Sequence, residues 1–383
     1  MGEAFWSFGV FFKPLENEFG WSRSLTSSGY TAFLISYAIS VIAAGKLADK
    51  YGPRPVLFAS ALLAGLGISL CSQVHSIDQL RIFLFVAGFG AGATWSVPSS
   101  TVQKWFYGRA KAPMALAVVV SGVGVGALIF APLINHLILS YGWREAYLVV
   151  GVIFSLTIAI ASFVIKRSPV EARTVSQGKG STPKSASTPG WATREAVTNP
   201  AFISVTFVVC AAVLAFHVVS VHLIPHATDM GISPTASATA LGLIGGFSIP
   251  GRITAGAISE RMGWQKTLGL SMFGMALSLI WLLFLEATWV LYSFVFFYGI
   301  FSGIRPVAHA GLLGKFFGMR SLGELIGIAS AIAGIFGAFA PYVAGFIFDT
   351  TGSYFIAFII AMAFLLGGGF VAIRMKKPQI ALQ

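Results

Sequence analysis

Two arginines, Arg252 and Arg305, lie deep inside long apolar stretches of the sequence. A guanidinium at the centre of a membrane helix costs at least about 2.5 kcal/mol on insertion scales, so each arginine should face a cavity or a partner group. The planar fork of N–H donors matches a carboxylate in a bidentate arrangement. Arg252 is therefore predicted to receive an anion. The alternative is that its side chain reaches the membrane surface, because Gly256 and Glu260 follow within two turns.

Arg305 belongs to a polar stripe on one predicted helix. Tyr298, Ser302, Arg305 and His309 are spaced by four, three and four residues, which places them on one face. Lys315 follows Arg305 after about 15 Å of helix, so Arg305 should lie near the membrane midplane. We expect Tyr298, Ser302 and Arg305 to bind the same anion as Arg252, and two arginines would suit a dicarboxylate. A structural role is equally open: Arg305 could bind the carbonyls at a helix end, or it could bridge the two halves.

Three side chains are candidates for carrying a proton: His309, His217 and Glu3. A histidine changes its charge near neutral pH. Glu3 would lie at mid-membrane if the first helix is incomplete at its start. No metal or cofactor is predicted, because HExxH is absent and the five-residue step from His217 to His222 turns these side chains onto different faces.

The composition indicates an integral membrane protein. Of 383 residues, 56% are hydrophobic and 10% are charged, with a mean hydropathy of +0.82, whereas soluble proteins carry about 25% charged residues. The net charge of +12 does not indicate nucleic-acid binding, because the basic residues form short clusters between apolar runs. The patterns GxxxxGK[ST] and HExxH are both absent, which argues against an ATP-driven machine and against an enzyme.

Apolar runs separated by polar breaks predict twelve membrane-spanning helices, all-α because lipid offers no partner for free backbone groups. They fall near residues 1–13, 25–45, 56–74, 79–102, 113–139, 145–165, 200–224, 235–257, 267–285, 288–313, 321–347 and 353–373. A polar segment at 167–199 is predicted to be a cytoplasmic linker between an N-terminal half, 1–166, and a C-terminal half, 200–383. The first run has about 12 residues, or about 18 Å of helix, which is too short to cross. We therefore expect helix 1 to be truncated.

Most of the basic residues flank the same ends of the spans as the linker, which predicts that these ends face the cytoplasm. Both termini are then cytoplasmic. The chain is predicted to be a multi-pass protein of the inner (plasma) membrane, in contact with the lipid bilayer.

The two halves repeat a short loop motif. GKLADKYGPR at 45–54 recurs as GAISERMGWQ at 256–265, and a duplicated six-helix unit is typical of transporters with a central site. Asp49, Arg54, Glu260 and Arg261 are predicted to form a latch that breaks during a conformational change.

The first of these loops resembles the signature loop of the major facilitator superfamily. Within it, FGVFFKPLENEFGWSRS at 8–24, KWFYGRAKAPMALA at 104–117 and RITAG at 252–256 resemble monocarboxylate transporters and bacterial oxalate:formate exchangers. The resemblance implies that Arg252 receives the substrate carboxylate and that helices 1, 4, 7 and 10 line the cavity. Two positions depart from the animal proteins: Trp6 stands where they have a lysine, and Ser248 where they have an aspartate.

These observations predict a major facilitator fold and a secondary transporter of small organic monocarboxylates such as lactate or pyruvate, coupled to protons by alternating access. The partners are a carboxylate and a proton, with the monomer as the transport unit. The alternative transport mode is exchange of organic anions of the oxalate and formate kind. A receptor that binds without transport remains a third possibility.

Overall fold

The computed structural model of the chain describes residues 2–106, 112–166, 190–318 and 321–378. The N-terminal half contains α1 (Gly2–Phe19), α2 (Arg23–Tyr51), α3 (Pro53–Leu70), α4 (Ile77–Ala91 and Ala93–Trp105), α5 (Ala112–Tyr141) and α6 (Trp143–Val164). The C-terminal half contains α7 (Pro200–Asp229), α8 (Pro234–Met262), α9 (Trp264–Leu283), α10 (Thr288–Phe317), α11 (Leu322–Ala338 and Ala340–Thr351) and α12 (Phe355–Arg374). Over the described ranges, 11 spans are long and apolar enough to cross a membrane. With α1, they form the predicted all-α fold of two six-helix halves.

The first helix is longer than predicted. The expected end at Lys13 is wrong, because α1 continues through Pro14 to Phe19 and has 18 residues, or about 27 Å. The polar residues after Phe12 looked like a break in the sequence. In the structure, Lys13 pairs with Glu16 at 2.9 Å, so the last turn carries charge without leaving it uncompensated.

Two equivalent glycines end α2 and α8. Gly52 and Gly263 have φ of +95° and +82°, a conformation that residues with a Cβ rarely adopt. Each glycine also donates its amide to a carbonyl four residues earlier, that of Ala48 at 2.8 Å or Ser259 at 2.9 Å. The repeated loop motif therefore marks the same helix end in both halves.

Two predicted spans, α4 and α11, each consist of two segments, and the division is clearer in α11. In α11 the helix breaks at Phe339, just before Pro341. Proline lacks an amide donor and its ring clashes with the carbonyl four residues earlier, so a new helical segment starts there. The break gives the second segment of α11 a separate N-terminus at the interface with α2.

Among the described residues, the halves meet mainly along three helix pairs: α1 with α7, α2 with α11, and α5 with α8. At each pair a glycine allows the backbones to touch. A Cβ added to the glycine would collide with the other half: Gly9 with Ser220, Gly124 with Gly245, and Gly345 with Arg23.

The last part of the predicted linker is attached to the C-terminal half. It contains a short helix, Thr193–Val197. The amide of Trp191 donates to the carbonyl of Phe317 at 2.9 Å, the two rings contact edge to face, and the Thr193 hydroxyl donates to Glu324. Residues 190–199 thus pack at the end of α10. We call this the linker end of the bundle, and the opposite end, with the α1–α2 and α7–α8 connections, the Arg23 end.

Candidate functional site

The crossing of α8 and α10 brings the two predicted arginines to the same depth. Gly251 and Gly303 each pack against a backbone carbonyl of the other helix, so the two helices touch without side chains between them. Counted from Met262 and from Phe317, Arg252 and Arg305 lie about 15 Å and 18 Å from the linker ends of their helices. Both side chains are partly buried, and they interact electrostatically with each other.

Arg305 is the centre of this group. It interacts electrostatically with Tyr298 and His309 on its own helix and with His217 on α7, besides Arg252. Across the described ranges, no hydrogen bond or ion pair involves its guanidinium. A guanidinium without an acceptor among the described residues attracts a small anion, because a carboxylate can accept the hydrogen bonds that its N–H groups donate.

Two further polar groups on the stripe are buried. Tyr298 is fully buried and His309 is 5% exposed. Neither the Tyr298 hydroxyl nor His309 Nε2 has a hydrogen-bond partner among the described residues. Buried polar atoms are nearly always satisfied by protein, water or ligand, so both are suited to contact a bound solute. Ser302 differs, because its hydroxyl donates to the Gly299 carbonyl at 2.8 Å and can offer a solute only its lone pairs.

His217 connects this group to the N-terminal half. Its side chain is 4% exposed, and its Nδ1 lies 3.3 Å from the hydroxyl of Tyr30 on α2. The side chain of Glu3, the third proton-carrier candidate, lies outside the described residues. Ser248 is buried at the α8–α10 crossing and donates to the Gly245 carbonyl at 2.6 Å.

The predicted latch residues lie at the linker end. Arg54 is exposed, and its Nε donates to the Ile165 carbonyl at 2.8 Å, which ties α3 to the end of α6 within one half. Glu260 and Arg261 are exposed at the end of α8. The side chain of Asp49 lies outside the described residues. Where these side chains are described, none of them forms a hydrogen bond or an ion pair with the opposite half.

A charged cluster at the Arg23 end was not predicted. Arg23 Nη2 pairs with Asp229 at 2.6 Å and its Nε pairs with Glu16 at 2.9 Å. Lys13 pairs with the same two carboxylates, at 2.7 Å to Asp229 and 2.9 Å to Glu16. Because Asp229 ends α7, these pairs join the two halves.

The same cluster extends to α11 and α12. Asp349 accepts the amides of Arg23 and Ser24 at 2.8 and 2.9 Å, so it caps the N-terminus of α2 from the other half. Arg23 Nη1 donates to the Tyr354 hydroxyl at 2.9 Å, and its guanidinium lies 3.6 Å from the ring centre of Phe348. We call this cluster the Arg23 closure: Lys13, Glu16, Arg23, Asp229, Asp349 and Tyr354.

The sequence held one signal for the closure. Its charged residues all lie next to helix ends on the side opposite the linker, and the acids outnumber the bases there. The sequence does not show which of these residues pair with each other, because that depends on how α1, α2, α7 and α11 meet.

A cavity of about 220 Å³ lies between α4 and α5. It is lined by Thr94, Trp95, Pro98, Ser99, Val119, Gly122 and Val123. The Ser99 hydroxyl is buried and has no hydrogen-bond partner in the described part of the chain. The described residues contain no group of three or more His, Cys, Asp or Glu side chains that could hold a metal ion.

Comparison with known proteins gives a consistent result. The model of the Major Facilitator Superfamily matches residues 4–288. Curated relatives include monocarboxylate transporter 13 of Bos taurus, 26% identical over 378 residues and covering 96% of this chain and 84% of the relative. Another is monocarboxylate transporter 12 of Homo sapiens, 28% identical over 357 residues, which cover 85% of this chain and 69% of the relative.

Solved structures show the same fold. The xylose transporter XylE from E. coli, in a partially occluded inward open conformation, has a TM-score of 0.75 at 14% identity, covering 96% of this chain and 93% of XylE. A mutant of the nucleoside transporter NupG has a TM-score of 0.74 at 11% identity and covers 97% of both chains.

The predicted resemblance and the predicted fold are therefore confirmed. The protein is a multi-pass membrane transporter and not an enzyme, and its sequence is similar to those of monocarboxylate transporters. The chain belongs to the Major Facilitator Superfamily.

Proposed function

We propose that this transporter moves small organic monocarboxylates of the lactate and pyruvate kind, together with protons, by alternating access. The observation that carries the proposal is Arg305. It is a partly buried cation in the middle of the bundle, and no acid of the described residues pairs with it. The curated relatives named monocarboxylate transporters support the same class of substrate.

The substrate carboxylate binds between Arg252 and Arg305. The Tyr298 hydroxyl and His309 Nε2, both without partners among the described residues, bind the oxygen on the neighbouring carbon of a hydroxy or keto acid. Ser302 contributes an acceptor. A single carboxylate neutralises one of the two arginines, and a proton-carrying group sets the charge of the empty and loaded states.

The distribution of contacts supports alternating access. Among the described residues, every hydrogen bond or ion pair between the halves lies between the Arg23 end and the level of Tyr30. Polar contacts of the described residues therefore hold the halves together at the Arg23 end, while the packing of α5 on α8 continues to the level of Gly124. We propose that the latch at Asp49, Arg54, Glu260 and Arg261 forms when the Arg23 end opens.

Proton coupling requires a group that changes charge during the cycle. His309 beside Arg305 is the first candidate, with Glu3 and His217 as the others. Protonation of a histidine next to Arg305 is opposed by like charge unless the anion lies between them. Anion and proton therefore bind more tightly together than separately, as symport requires. We further propose that the linker end and both termini face the cytoplasm of the plasma membrane, with the monomer as the transport unit.

The test is uptake of labelled lactate into proteoliposomes with an imposed pH gradient. We expect accumulation when the outside is more acidic and none when a protonophore is present. Arg305→Gln should abolish uptake while the purified protein keeps its melting temperature. Uptake that is the same with and without the gradient would contradict proton coupling, and an active Arg305→Gln variant would contradict the site.

A second transport mode is favoured by one observation. Arg305 and Arg252 are close enough to interact, and a dicarboxylate would neutralise both cations without a proton. In that case oxalate-loaded vesicles should take up labelled oxalate or formate by exchange, with no dependence on the pH gradient. Lactate accumulation driven by pH, without internal anion, would exclude obligatory exchange.

A further inference from the structure

Helices α2 and α7 contact each other through polar side chains at three levels. From the Arg23 end inward, Arg23 Nη2 lies 2.6 Å from Asp229, the Ser27 hydroxyl lies 3.5 Å from His222 Nε2, and the Tyr30 hydroxyl lies 3.3 Å from His217 Nδ1. The spacing of 23, 27 and 30 places all three on one face of α2. We call these three contacts the α2–α7 ladder.

The ladder joins two parts of the molecule that have different roles. Its outer contact belongs to the Arg23 closure. Its inner contact includes His217, which interacts electrostatically with Arg305 at the anion site. Because α2 belongs to the N-terminal half and α7 to the C-terminal half, each contact exists only while the halves are together at this level.

The inner contact is the one that the anion site can influence. In the middle contact, His222 is already engaged within its own half, with Nε2 2.8 Å from the Pro341 carbonyl and Nδ1 2.9 Å from the Tyr354 hydroxyl. The Ser27 hydroxyl donates to the Arg23 carbonyl at 2.7 Å. The 3.5 Å approach between Ser27 and His222 is therefore weak.

We propose that the Tyr30–His217 contact couples the charge at Arg305 to the Arg23 closure, with Tyr30 as a positioning residue. We assign the tautomer in which the Tyr30 hydroxyl donates to His217 Nδ1, and in that tautomer the positive charge of Arg305 makes Nδ1 a poorer acceptor. When an anion neutralises Arg305, the hydrogen bond strengthens and holds α2 against α7. Occupancy of the anion site then favours the state that is closed at the Arg23 end.

The substrate part of this inference rests on the proposed function, but the coupling can be tested without any substrate. Arg305→Gln removes the charge as a bound anion would. Removing the charge changes only part of the modest net contribution of one hydrogen bond, so we expect the ratio of closed to open molecules to rise by up to about tenfold. In Tyr30→Phe, which lacks the hydroxyl, Arg305→Gln should leave the ratio unchanged.

The experiment measures distances between spin labels at Asn17→Cys and Thr350→Cys. Both residues are exposed at the Arg23 end, one in each half. Of the two native cysteines, Cys71 is buried and Cys210 is replaced by serine. All proteins also carry Lys13→Met, which removes the ion pairs of Lys13 with Glu16 and Asp229 and is expected to populate both distances. The four proteins of the cycle are this background, Tyr30→Phe, Arg305→Gln and the combination.

Tyr37→Phe is the matched control, because Tyr37 lies on the same face of α2 two turns nearer the linker end. Arg305→Gln should shift the distances in Tyr37→Phe as it does in the background. Equal shifts in the background and in Tyr30→Phe would overturn the coupling, and so would a background without any shift. Lactate uptake by the parent protein is measured separately, so a failure of the proposed substrate is distinguishable from a failure of the coupling.

Discussion

The replacement of Asp229 by asparagine tests whether the Arg23 closure holds the two halves together. Asp229 accepts charge-assisted hydrogen bonds from Lys13 at 2.7 Å and from Arg23 at 2.6 Å. The Arg23 side chain is 5% exposed, whereas those of Asp229 and Lys13 are 22% and 23% exposed. Asparagine has nearly the same shape and keeps one acceptor, so the change removes charge without leaving a cavity.

The expected magnitude follows from these contacts. A hydrogen bond to a charged group contributes about 1.5–3 kcal/mol, and partial exposure lowers that value for the Lys13 pair. Arg23 also keeps Glu16 as a partner at 2.9 Å. We therefore expect the closed state to lose about 2 kcal/mol relative to the open state, or about 30-fold in their ratio.

The assay is the distance between spin labels at Asn17→Cys and Thr350→Cys in the otherwise native chain lacking Cys210. Asp229→Asn should increase the population with the long distance and should lower the rate of lactate uptake. Asp78→Asn is the matched control, because Asp78 pairs with Arg81 at 2.9 Å within one half and is 77% exposed. Unchanged distances in Asp229→Asn, or an equal change in Asp78→Asn, would refute the role of the closure.

Three further predictions concern the anion site, the latch and the proton carrier. Arg252→Ala should abolish lactate uptake without unfolding, and Arg252→Lys should leave it severely impaired because an ammonium cannot form the bidentate pair; an active alanine variant would remove Arg252 from the site. Asp49→Asn should shift the two conformations by about 1–2 kcal/mol and slow transport with little change in substrate affinity, as measured by cross-linking and uptake kinetics; unchanged turnover with unchanged populations would refute the latch. His309→Ala or Glu3→Gln should lose pH-driven uptake but keep exchange if that residue carries the proton; full pH-driven accumulation in the double variant would eliminate both.

Much of the fold follows from the sequence because lipid imposes simple rules. A stretch that crosses the membrane must be helical and apolar over about 20 residues, so the spans can be located within a few residues. The prediction failed at α1, where Lys13 and Glu16 looked like the end of a helix. A helix can continue through a charged turn when the charged side chains have partners. Asp229, which pairs with Lys13, lies far away in the sequence, so this partner could not be recognised beforehand.

The geometry of the candidate site follows in part from the helical spacing of the sequence, whereas the roles of its residues stay predictions. Helical spacing alone places Tyr298, Arg305 and His309 on one face, since it is a property of a single element. That Arg252 and Arg305 come close enough to interact electrostatically depends on the contact between α8 and α10, which glycines permit but do not specify. The Arg23 closure combines residues from α1, α2, α7, α11 and α12, and no periodicity within one helix indicates it.

A substitution at Gly345 should favour the conformation that is open at the Arg23 end. A Cβ at this position would lie 2.6 Å from the carbonyl carbon of Arg23, closer than atoms in contact can approach. Asp349, one turn further along α11, would be lifted away from the N-terminus of α2 by the same displacement. Alanine at 345 would therefore act as a one-methyl wedge at the Arg23 end, while Gly9 and Gly124 stay free to form their own crossings. A protein biased in this way is a practical starting point for crystallising or imaging the second conformation.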